Sequence, residues 1–253
     1  GLAKTGMGGI IMDCKQESCM IRENLENSRY KLEEMVSLDS SNFLSNDVIK
    51  LSQTLDELLI KCMQCRKTNN IIDILDVDNI AGKHSMFFYY GKEHLLVCLA
   101  KYLKQGIDKN EFCPIFIRPD WFQALFSYLS HVILPGRNVI HYPMNDMLES
   151  FMNGGSIGFR EKVLEMEKWA KGEGFNGIRM VGQCSYAIEL SSKSNFLKFE
   201  KATNDAFSGT KVSGLCIYDF YDFINTSKYI EDDILCDSFK THTYLHLQSS
   251  YKG

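Results

Sequence analysis

Apolar residues recur at helical spacing in two segments near the start of the chain. In the segment 46–66, the apolar residues on one helical face are Val48, Leu51, Leu55, Leu58 and Cys62. In the segment 17–36, the corresponding residues are Ile21, Leu25, Leu32, Met35 and Val36. Neither segment is long enough to form a stable helix alone. We therefore predict an antiparallel two-helix hairpin, stabilised by contact between these faces or by dimerisation through them.

The second helix carries another pattern on its opposite side. Ile49 and Ile60 flank Gln53 and Asp56 there. An apolar rim around a polar centre is typical of a surface that binds a partner protein. The alternative is that the two isoleucines pack against the next domain and that the polar pair is merely exposed.

Charges of alternating sign follow the other face of the first helix, at Arg22, Glu26, Arg29 and Glu33. Such a run usually forms a solvated helix face, stabilised by pairs of opposite charge three or four residues apart. The alternative is that Arg22 and Arg29 contact an acidic surface of a partner protein.

A different pattern begins after residue 84, where short apolar runs alternate with segments of helical periodicity. The runs that predict strands are 86–90, 112–117, 138–142, 177–181, 212–218 and 243–247. The segments that predict helices are 93–104, 121–130, 157–170, 195–206 and 229–239. Strands that alternate with helices indicate βαβ units, so we predict an α/β domain at 84–253 with a mostly parallel sheet.

The remaining segments define the other parts of the chain. Residues 1–13 include a glycine-rich stretch without periodicity, and we predict a disordered tail there. Residues 14–67 form the hairpin. Residues 68–83 alternate apolar with acidic residues and are predicted to be a linker that contains a short helix or an edge strand.

Composition excludes several classes of protein. The 253 residues are 45% hydrophobic and 24% charged, as in soluble globular proteins. A net charge of −4 without a basic stripe argues against a nucleic-acid-binding protein. No apolar run reaches the roughly 18 residues of a membrane span, and no export signal is visible. We therefore expect a cytoplasmic protein with neither a membrane nor a nucleic acid as partner.

The nine cysteines do not follow the spacing of a disulfide framework, so we expect them to be reduced. Cys14, Cys19, Cys62 and Cys65 would meet at one end of the hairpin, and thiolates suit zinc or an iron–sulfur cluster. However, the first pair is spaced more widely than in a zinc knuckle, and Cys62 belongs to the apolar face. Structural cysteines without a metal are the preferred interpretation.

The second helix contains the sequence Ser52-Gln53-Thr54-Leu55-Asp56. With the surrounding hairpin, residues 15–65 resemble the stage-zero sporulation aspartyl-phosphatase family, whose motif is Ser-Gln-x-x-Asp at this place. The resemblance implies that the hairpin removes phosphate from the aspartyl phosphate of a sporulation-type response regulator. The receiver domain of that partner would supply magnesium, so no cofactor of this chain is expected.

The chemistry of the motif agrees with that activity. An aspartyl phosphate is a reactive acyl phosphate, so a partner protein need only place a water molecule in line with the phosphorus. Gln53 is suited to orient this water without becoming charged. Asp56, one helical turn away, could order Gln53, assist the proton of the water or bind a lysine of the receiver. Ser52 is expected to have a secondary role.

The α/β domain resembles the MEDS sensory domain, named for methanogens, methylotrophs and the dichloromethane-responsive regulator. The matching segments are Phe88-Tyr89-Tyr90, Glu93-His94-Leu95-Leu96, Tyr102-Leu103-Lys104-x-Gly106, Asn110-Glu111, Arg179-Met180-Val181-Gly182, Phe196-Leu197-x-Phe199-Glu200, Cys216-x-Tyr218-Asp219 and Thr241-His242. The resemblance implies a three-layer α/β fold related to the RecA/KaiC ATPases. Gln183, Tyr186 and Thr243 depart from the family pattern, which has Glu, Trp and Pro there.

The first turn of this domain, residues 91–94, lacks the glycines and the Lys-Ser/Thr pair of a phosphate-binding loop. We therefore expect a sensor of an unidentified small molecule rather than an ATPase. Open α/β sheets bind ligands at strand ends, where the candidate residues are Tyr90, Glu93, His94, Arg179, Gln183, Glu200, Asp219 and His242. Each has a structural alternative: the histidines as buried side chains, Glu200 as a cap or as the partner of Arg179, and Asp219 as a helix cap.

Together, these patterns predict a signalling protein. A phosphatase hairpin would act on a phosphorylated response regulator, under the control of the α/β domain and its ligand. The alternative is a non-enzymatic sensor or docking module, whose hairpin only forms a homodimer or binds a partner. A metal or redox sensor that uses the four cysteines of the hairpin is a third possibility.

Overall fold

The computed structural model describes residues 20–38, 43–64, 73–132 and 136–248. The predicted tail and Cys14, Cys19 and Cys65 lie outside these ranges. Two helices open the described chain, α1 (Met20–Leu38) and α2 (Asn46–Gln64). The residues of their predicted apolar faces that are at most 2% exposed are Leu25, Leu32, Val36, Val48, Leu55 and Cys62. The two helices pack together, as their periodicity predicted.

A seven-stranded sheet follows, in which every neighbouring pair of strands is parallel. The strands are β1 (Asp73–Ile74), β2 (His84–Tyr89), β3 (Cys113–Phe116), β4 (Val139–His141), β5 (Ile178–Gln183), β6 (Val212–Asp219) and β7 (Tyr244–Leu245). Their order is β1-β7-β2-β6-β5-β3-β4. The predicted mostly parallel sheet is confirmed. In the segment 68–83, Asp73 and Ile74 form an edge strand, β1, which was one of the two predicted possibilities.

Helices flank the sheet in the three-layer arrangement that the sequence predicted. They are α3 (Lys92–Asp108), α4 (Pro119–Val132), α5 (Met144–Gly172), α6 (Cys184–Leu190), α7 (Lys193–Phe207), α8 (Phe220–Asn225) and α9 (Asp232–Thr241). The central strands β2, β5 and β6 are buried between the helices, so they consist mostly of apolar residues instead of alternating polar and apolar ones.

Three helices differ from the sequence prediction. The periodicity indicated only residues 157–170, whereas α5 begins at Met144. Gly155 interrupts α5 with φ 61° and ψ −154°, and Asn153 and Gly154 before it add no apolar side chain to a helical pattern. Helices α6 and α8 were not predicted, because elements of 7 and 6 residues are too short to show a period.

The hairpin packs directly against the α/β domain. Both α1 and α2 contact α3, and α2 also contacts β2. Phe43, which precedes α2, stacks on Tyr128 of α4 with the ring centroids 4.4 Å apart. A single hydrophobic core therefore continues from the hairpin into the α/β domain. In the part of the chain that the structure describes, no helix is both long enough and apolar enough to cross a membrane.

Candidate functional site

The Ser-Gln-x-x-Asp residues of α2 lie at the contact between the hairpin and the α/β domain. Asp56 is 3% exposed and Ser52 is 0% exposed, whereas Ile49, Gln53 and Ile60 are half-buried. The prediction that this side of α2 faces outward is therefore wrong for Asp56. Ile60 packs against the hydrophobic core, as the alternative interpretation expected. Periodicity finds two faces on α2, but it does not show that α3 covers the second one.

Four side chains form a buried group at this contact, the interface cluster: Ser52, Asp56, His94 and Cys98. Asp56 Oδ1 lies 3.2 Å from His94 Nε2, and Asp56 Oδ2 accepts a 2.8 Å hydrogen bond from the backbone N–H of Gln248. Ser52 Oγ lies 3.5 Å from Cys98 Sγ. His94 and Cys98 belong to α3, so the α/β domain holds the polar residues of the hairpin motif. His94, one of the residues predicted to bind a ligand, contacts Asp56 of the motif.

The proton position on His94 follows from its other ring nitrogen. The backbone N–H of Tyr90 donates to His94 Nδ1 at 3.1 Å, so neutral His94 carries its proton on Nε2. This proton lies on the Asp56 side, although the Nε2 approach is too oblique for a full hydrogen bond. Burial and the nearby Asp56 raise the pKa of Cys98 well above its usual value, which favours the neutral thiol. In the interface cluster, donors therefore face a carboxylate.

Arg22 and Arg29 of α1 are half-buried rather than solvated. The Arg22 guanidinium donates to Asn225 Oδ1 at 2.7 Å, and Arg29 pairs with Glu26 at 3.0 Å. Glu26 also accepts a 2.6 Å hydrogen bond from the hydroxyl of Tyr90. The expected solvated face is therefore wrong for Arg22 and Arg29. Tyr90, one of the residues predicted to bind a ligand, thus connects the α/β domain to the hairpin through a hydrogen bond.

Two other predicted residues lie at the carboxyl ends of neighbouring strands. Gln183 donates to the hydroxyl of Tyr89 at 3.3 Å and accepts from the backbone N–H of Arg118 at 3.0 Å. Asp219 accepts a 3.0 Å hydrogen bond from the backbone N–H of Asp222, which makes it the N-terminal cap of α8. Burial raises the pKa of Asp219 to about 6. Its structural alternative, a helix cap, is what the structure shows. Glu93 lies half-buried in the first turn of α3.

Arg179 lies near the amino end of β5, away from the strand ends where a ligand was expected. Its side chain is fully buried. The guanidinium pairs with Glu111 at 2.7 Å and donates to the carbonyl of Tyr102 and to Gln105 Oε1, both at 3.0 Å. The suggested pairing of Arg179 with Glu200 is therefore wrong. The ion pair between Arg179 and Glu111 therefore connects β5 to the segment between α3 and β3.

Glu200 and His242 meet two residues that were not predicted, His84 and Cys216, in a group that we name the core cluster. Glu200 Oε1 lies 3.0 Å from His242 Nε2 and 3.6 Å from His84 Nε2. His84 Nε2 lies 3.1 Å from Cys216 Sγ. Each of the four residues contributes one nitrogen, sulfur or carboxylate oxygen atom, and these four atoms lie within 4.8 Å of one another. The residues come from β2, α7, β6 and the end of α9, so folding alone assembles the group.

Electrostatics favours a negative Glu200 next to a neutral His84. Burial raises the pKa of Glu200, but His242, His84 and the hydroxyl of Tyr218 outweigh it and lower this pKa to about 2. The Tyr218 hydroxyl donates to Glu200 Oε1 at 2.7 Å. Burial, with a contribution from His242, lowers the pKa of His84 to about 3. In the sequence, His84 is a polar residue next to a predicted apolar strand, and this pattern could have identified it as a candidate site residue. No comparable pattern marks Cys216.

Comparison with known families agrees with this two-part architecture. Residues 83–243, more than half of the chain, match the family model of MEDS, the methanogen/methylotroph, DcmR sensory domain. The chain belongs to the MEDS family. Residues 21–64 match the family model described as Spo0E like sporulation regulatory protein. Both resemblances found in the sequence are therefore confirmed. No curated protein and no solved structure gives a significant match to the chain.

A cavity of about 50 Å³ lies inside the MEDS domain. It is lined largely by apolar side chains of α5, α7 and the sheet, including Met144, Met147, Phe159, Met180, Phe196 and Phe199. Gln183, Glu200 and Cys216 also line it, so the cavity reaches both the carboxyl end of β5 and the core cluster. Since one water needs roughly 10–15 Å³ on this scale, the space suits a ligand of only a few non-hydrogen atoms.

Two groups in the described chain have side chains of the types that bind metals: the core cluster, and the Asp56, His94 and Cys98 part of the interface cluster. Of the cysteine group proposed for the hairpin, Cys14, Cys19 and Cys65 lie outside the described residues. Cys62 is fully buried and is disulfide-bonded. The expectation that the cysteines are reduced is therefore wrong for Cys62.

Proposed function

We propose that this protein removes phosphate from the aspartyl phosphate of a sporulation-type response regulator, and that its MEDS domain controls this reaction by covering the Ser-Gln-x-x-Asp residues. The Spo0E-like match, with Ser52, Gln53 and Asp56 in place, supports the first part. The sensory family of the second domain supports the second part. The observation that carries the proposed control is the burial of Asp56 between α2 and α3.

In the proposed reaction, the hairpin contributes geometry rather than a covalent intermediate. The receiver holds magnesium and the acyl phosphate, and Gln53 orients a water molecule in line with the phosphorus. Gln53 is half-buried and belongs to the same helix turn as Asp56. Asp56 then orders Gln53, accepts the proton of the attacking water or binds a lysine of the receiver. The last two roles require that Asp56 be exposed to the partner.

The described conformation is accordingly the inactive one. Asp56 is 3% exposed, and both of its oxygens face groups outside the hairpin, His94 Nε2 and the backbone N–H of Gln248. A receiver domain cannot reach a carboxylate that is buried in this way. Activity therefore requires α2 to separate from α3, which transfers Asp56 from these partners to the receiver or to water.

The contacts of Asp56 give an estimate of how much the cover reduces the fraction of active, uncovered protein. Removing one partner of a buried polar group costs roughly 1–3 kcal/mol, more if the group is charged. A His94→Leu substitution removes the polar neighbour of Asp56 in the covered conformation alone, whereas the Tyr90 N–H loses its acceptor in both conformations and does not change the balance between them. Because about 1.4 kcal/mol corresponds to a factor of ten in an equilibrium constant, the uncovered fraction should rise about tenfold.

The proposed signal is a small molecule that enters the cavity of the MEDS domain. The cavity volume of about 50 Å³ and its apolar wall favour a compact, weakly polar ligand. Such a ligand activates the protein only if it binds the uncovered conformation more tightly than the covered one. The cavity is lined by Gly214, Leu215 and Cys216 of β6, and β2 pairs along its full length with residues 214–219 of that strand.

The experiment measures the lifetime of a phosphorylated sporulation-type receiver, alone and with the full chain. The variants are Gln53→Ala, Asp56→Ala and His94→Leu. Thr54→Ala, an exposed position inside the motif, is the matched control on α2, and His141→Leu on β4 is the control for loss of a histidine. We expect slow dephosphorylation with the parent, none with Gln53→Ala or Asp56→Ala, and roughly tenfold faster dephosphorylation with His94→Leu.

The outcomes separate the alternatives. If even His94→Leu binds the receiver without shortening the lifetime, the hairpin is a docking element and the phosphatase proposal is wrong. If the parent and His94→Leu are equally active, the phosphatase is correct but the proposed covering by α3 does not control it. Association of the variants with the receiver, followed in the same samples, excludes loss of binding as the explanation.

A further inference from the structure

The core cluster contains two histidines whose proton positions can both be assigned. His242 Nδ1 lies 2.8 Å from the backbone carbonyl of Ser238. A carbonyl oxygen only accepts, so Nδ1 carries the proton and Nε2 of the neutral ring presents a lone pair. His242 is 4% exposed, and within the described residues its Nε2 has no hydrogen-bond partner.

His84 is oriented in the same way through Asn204. The Asn204 Nδ2 group donates to the backbone carbonyl of Thr241, which fixes the orientation of the amide. Asn204 Oδ1 therefore faces His84 Nδ1 at 3.1 Å and accepts a hydrogen bond from its N–H. His84 Nε2 is left with a lone pair, like His242 Nε2. Histidine ligands of metal ions characteristically donate their second ring nitrogen to an oxygen in this manner.

These assignments place acceptors against acceptors in a buried site. The lone pair of His242 Nε2 lies 3.0 Å from Glu200 Oε1, and that of His84 Nε2 lies 3.6 Å from the same oxygen. A positive charge between these groups, either a proton or a metal ion, would remove the repulsion. Cys216 Sγ, 3.1 Å from His84 Nε2, adds a fourth ligand atom. Two imidazoles, a thiolate and a carboxylate form a complete tetrahedral ligand set.

We propose that His84, Glu200, Cys216 and His242 bind one divalent transition-metal ion of the zinc class, through the two Nε2 atoms, a carboxylate oxygen and Sγ. Nitrogen and sulfur ligands favour zinc-like ions over magnesium and calcium, which prefer oxygen. On binding, the Cys216 thiol releases its proton to solvent and becomes a thiolate. Asn204, the Ser238 carbonyl and the Tyr218 hydroxyl hold the ligands in orientation.

Four protein ligands close the site, so its role is structural. The ion would join β2, β6, α7 and the end of α9 at one point. Because Glu200 and Cys216 also line the cavity, the same ion would fix one wall of the space proposed for the ligand. The metal proposal itself depends only on the geometry of the core cluster and stands independently of the proposed phosphatase activity.

The experiment titrates cobalt(II) into the full chain after treatment with a chelator and tests displacement by zinc. We expect one cobalt per chain with the intense visible absorption of four-coordinate cobalt and a thiolate-to-cobalt charge-transfer band. Cys216→Ser should remove the charge-transfer band, and His242→Gln should weaken binding more than tenfold. Cys113→Ser and His246→Gln alter a buried cysteine and a buried histidine outside the core cluster and should keep the parent spectrum.

Several results would overturn the proposal. The first is a folded parent chain that binds no cobalt or zinc, because the histidine–carboxylate contacts would then be satisfied by a proton. The second is a charge-transfer band that persists in Cys216→Ser, which would assign the ion to other cysteines. If Cys216→Ser does not fold, Asn204→Leu replaces it. This variant leaves all four ligands in place, and we expect about 10–100-fold weaker binding; unchanged binding also contradicts the proposal.

Discussion

The interface cluster and the core cluster are built from the same types of side chain but have opposite properties. Each contains a carboxylate, a cysteine and at least one histidine in a buried environment. In the interface cluster, His94 Nδ1 accepts from a backbone N–H, so its proton points toward Asp56. In the core cluster, His84 and His242 donate through Nδ1, so their lone pairs point toward Glu200.

The difference shows that the group beside one ring nitrogen decides what the other can bind. A backbone donor at Nδ1 turns histidine into a hydrogen-bond donor for a carboxylate, and a carbonyl at Nδ1 turns it into a metal ligand. The interface cluster therefore suits a contact that opens and closes, since water can replace its hydrogen bonds. The core cluster suits a permanent ion.

Metal removal is expected to have the largest effect and to act on only one cluster. An ion present at a thousand times its Kd stabilises the fold by about 4 kcal/mol, and in a chain of this size each kcal/mol shifts Tm by roughly 2–4 °C. A chelator should therefore lower the Tm of the parent by about 10 °C. Calorimetry of Cys216→Ser should show no chelator response, whereas Cys98→Ser, from the interface cluster, should respond like the parent.

Loss of a single hydrogen bond to a proposed ligand should weaken metal binding in the core cluster alone. Tyr218→Phe removes the 2.7 Å donor to Glu200 Oε1 without changing any proposed ligand. We expect zinc affinity to fall roughly 10–100-fold, measured by competition with a chelator of known affinity. Tyr90→Phe, which removes a hydroxyl contact to Glu26 at the hairpin, is the matched control and should leave zinc affinity unchanged. Equal losses in both variants would contradict the assignment.

The interface cluster should respond to its own histidine. His94→Leu is expected to raise phosphatase activity about tenfold and to leave metal binding unchanged, because only the cover over Asp56 is weakened. Hydrogen exchange of the α2 amides, compared between the parent and His94→Leu, measures the opening directly. Unaltered exchange together with unaltered activity would mean that this contact does not hold the hairpin closed.

A fourth buried histidine, His246, belongs to neither cluster, and its expected effect is a change of stability with pH. Burial, Arg179 and Lys101 lower the pKa of His246 to about 3 in the folded protein. The unfolded chain binds this proton below about pH 6.5, so stability should fall as the pH decreases from about 6.5 to 3. One such histidine contributes at most about 1.4 kcal/mol per pH unit. Urea unfolding across this pH range should show that the free energy of unfolding declines less steeply in His246→Gln than in the parent. An equal decline in both proteins would contradict the assignment to His246.

Much of the architecture was already visible in the chain as a linear pattern. The helical period at Val48, Leu55 and Cys62 located a buried face, and apolar runs located the central strands, because both signals arise from neighbours in sequence. The pattern failed where this local signal is weak. Gly154 and Gly155 concealed the first half of α5, and the short helices α6 and α8 show no period.

The sequence by itself determined the two families, the motif Ser52-Gln53-x-x-Asp56 and the alternation of strands and helices. Only the tertiary structure decided that Asp56 is buried, because its cover comes from His94 and Gln248, 38 residues or more along the chain. The pairing of β2 with β6 likewise brings His84 to Cys216 across 132 residues. Local patterns record which face of an element is apolar, but they do not show which distant side chains a buried imidazole meets through its other ring nitrogen.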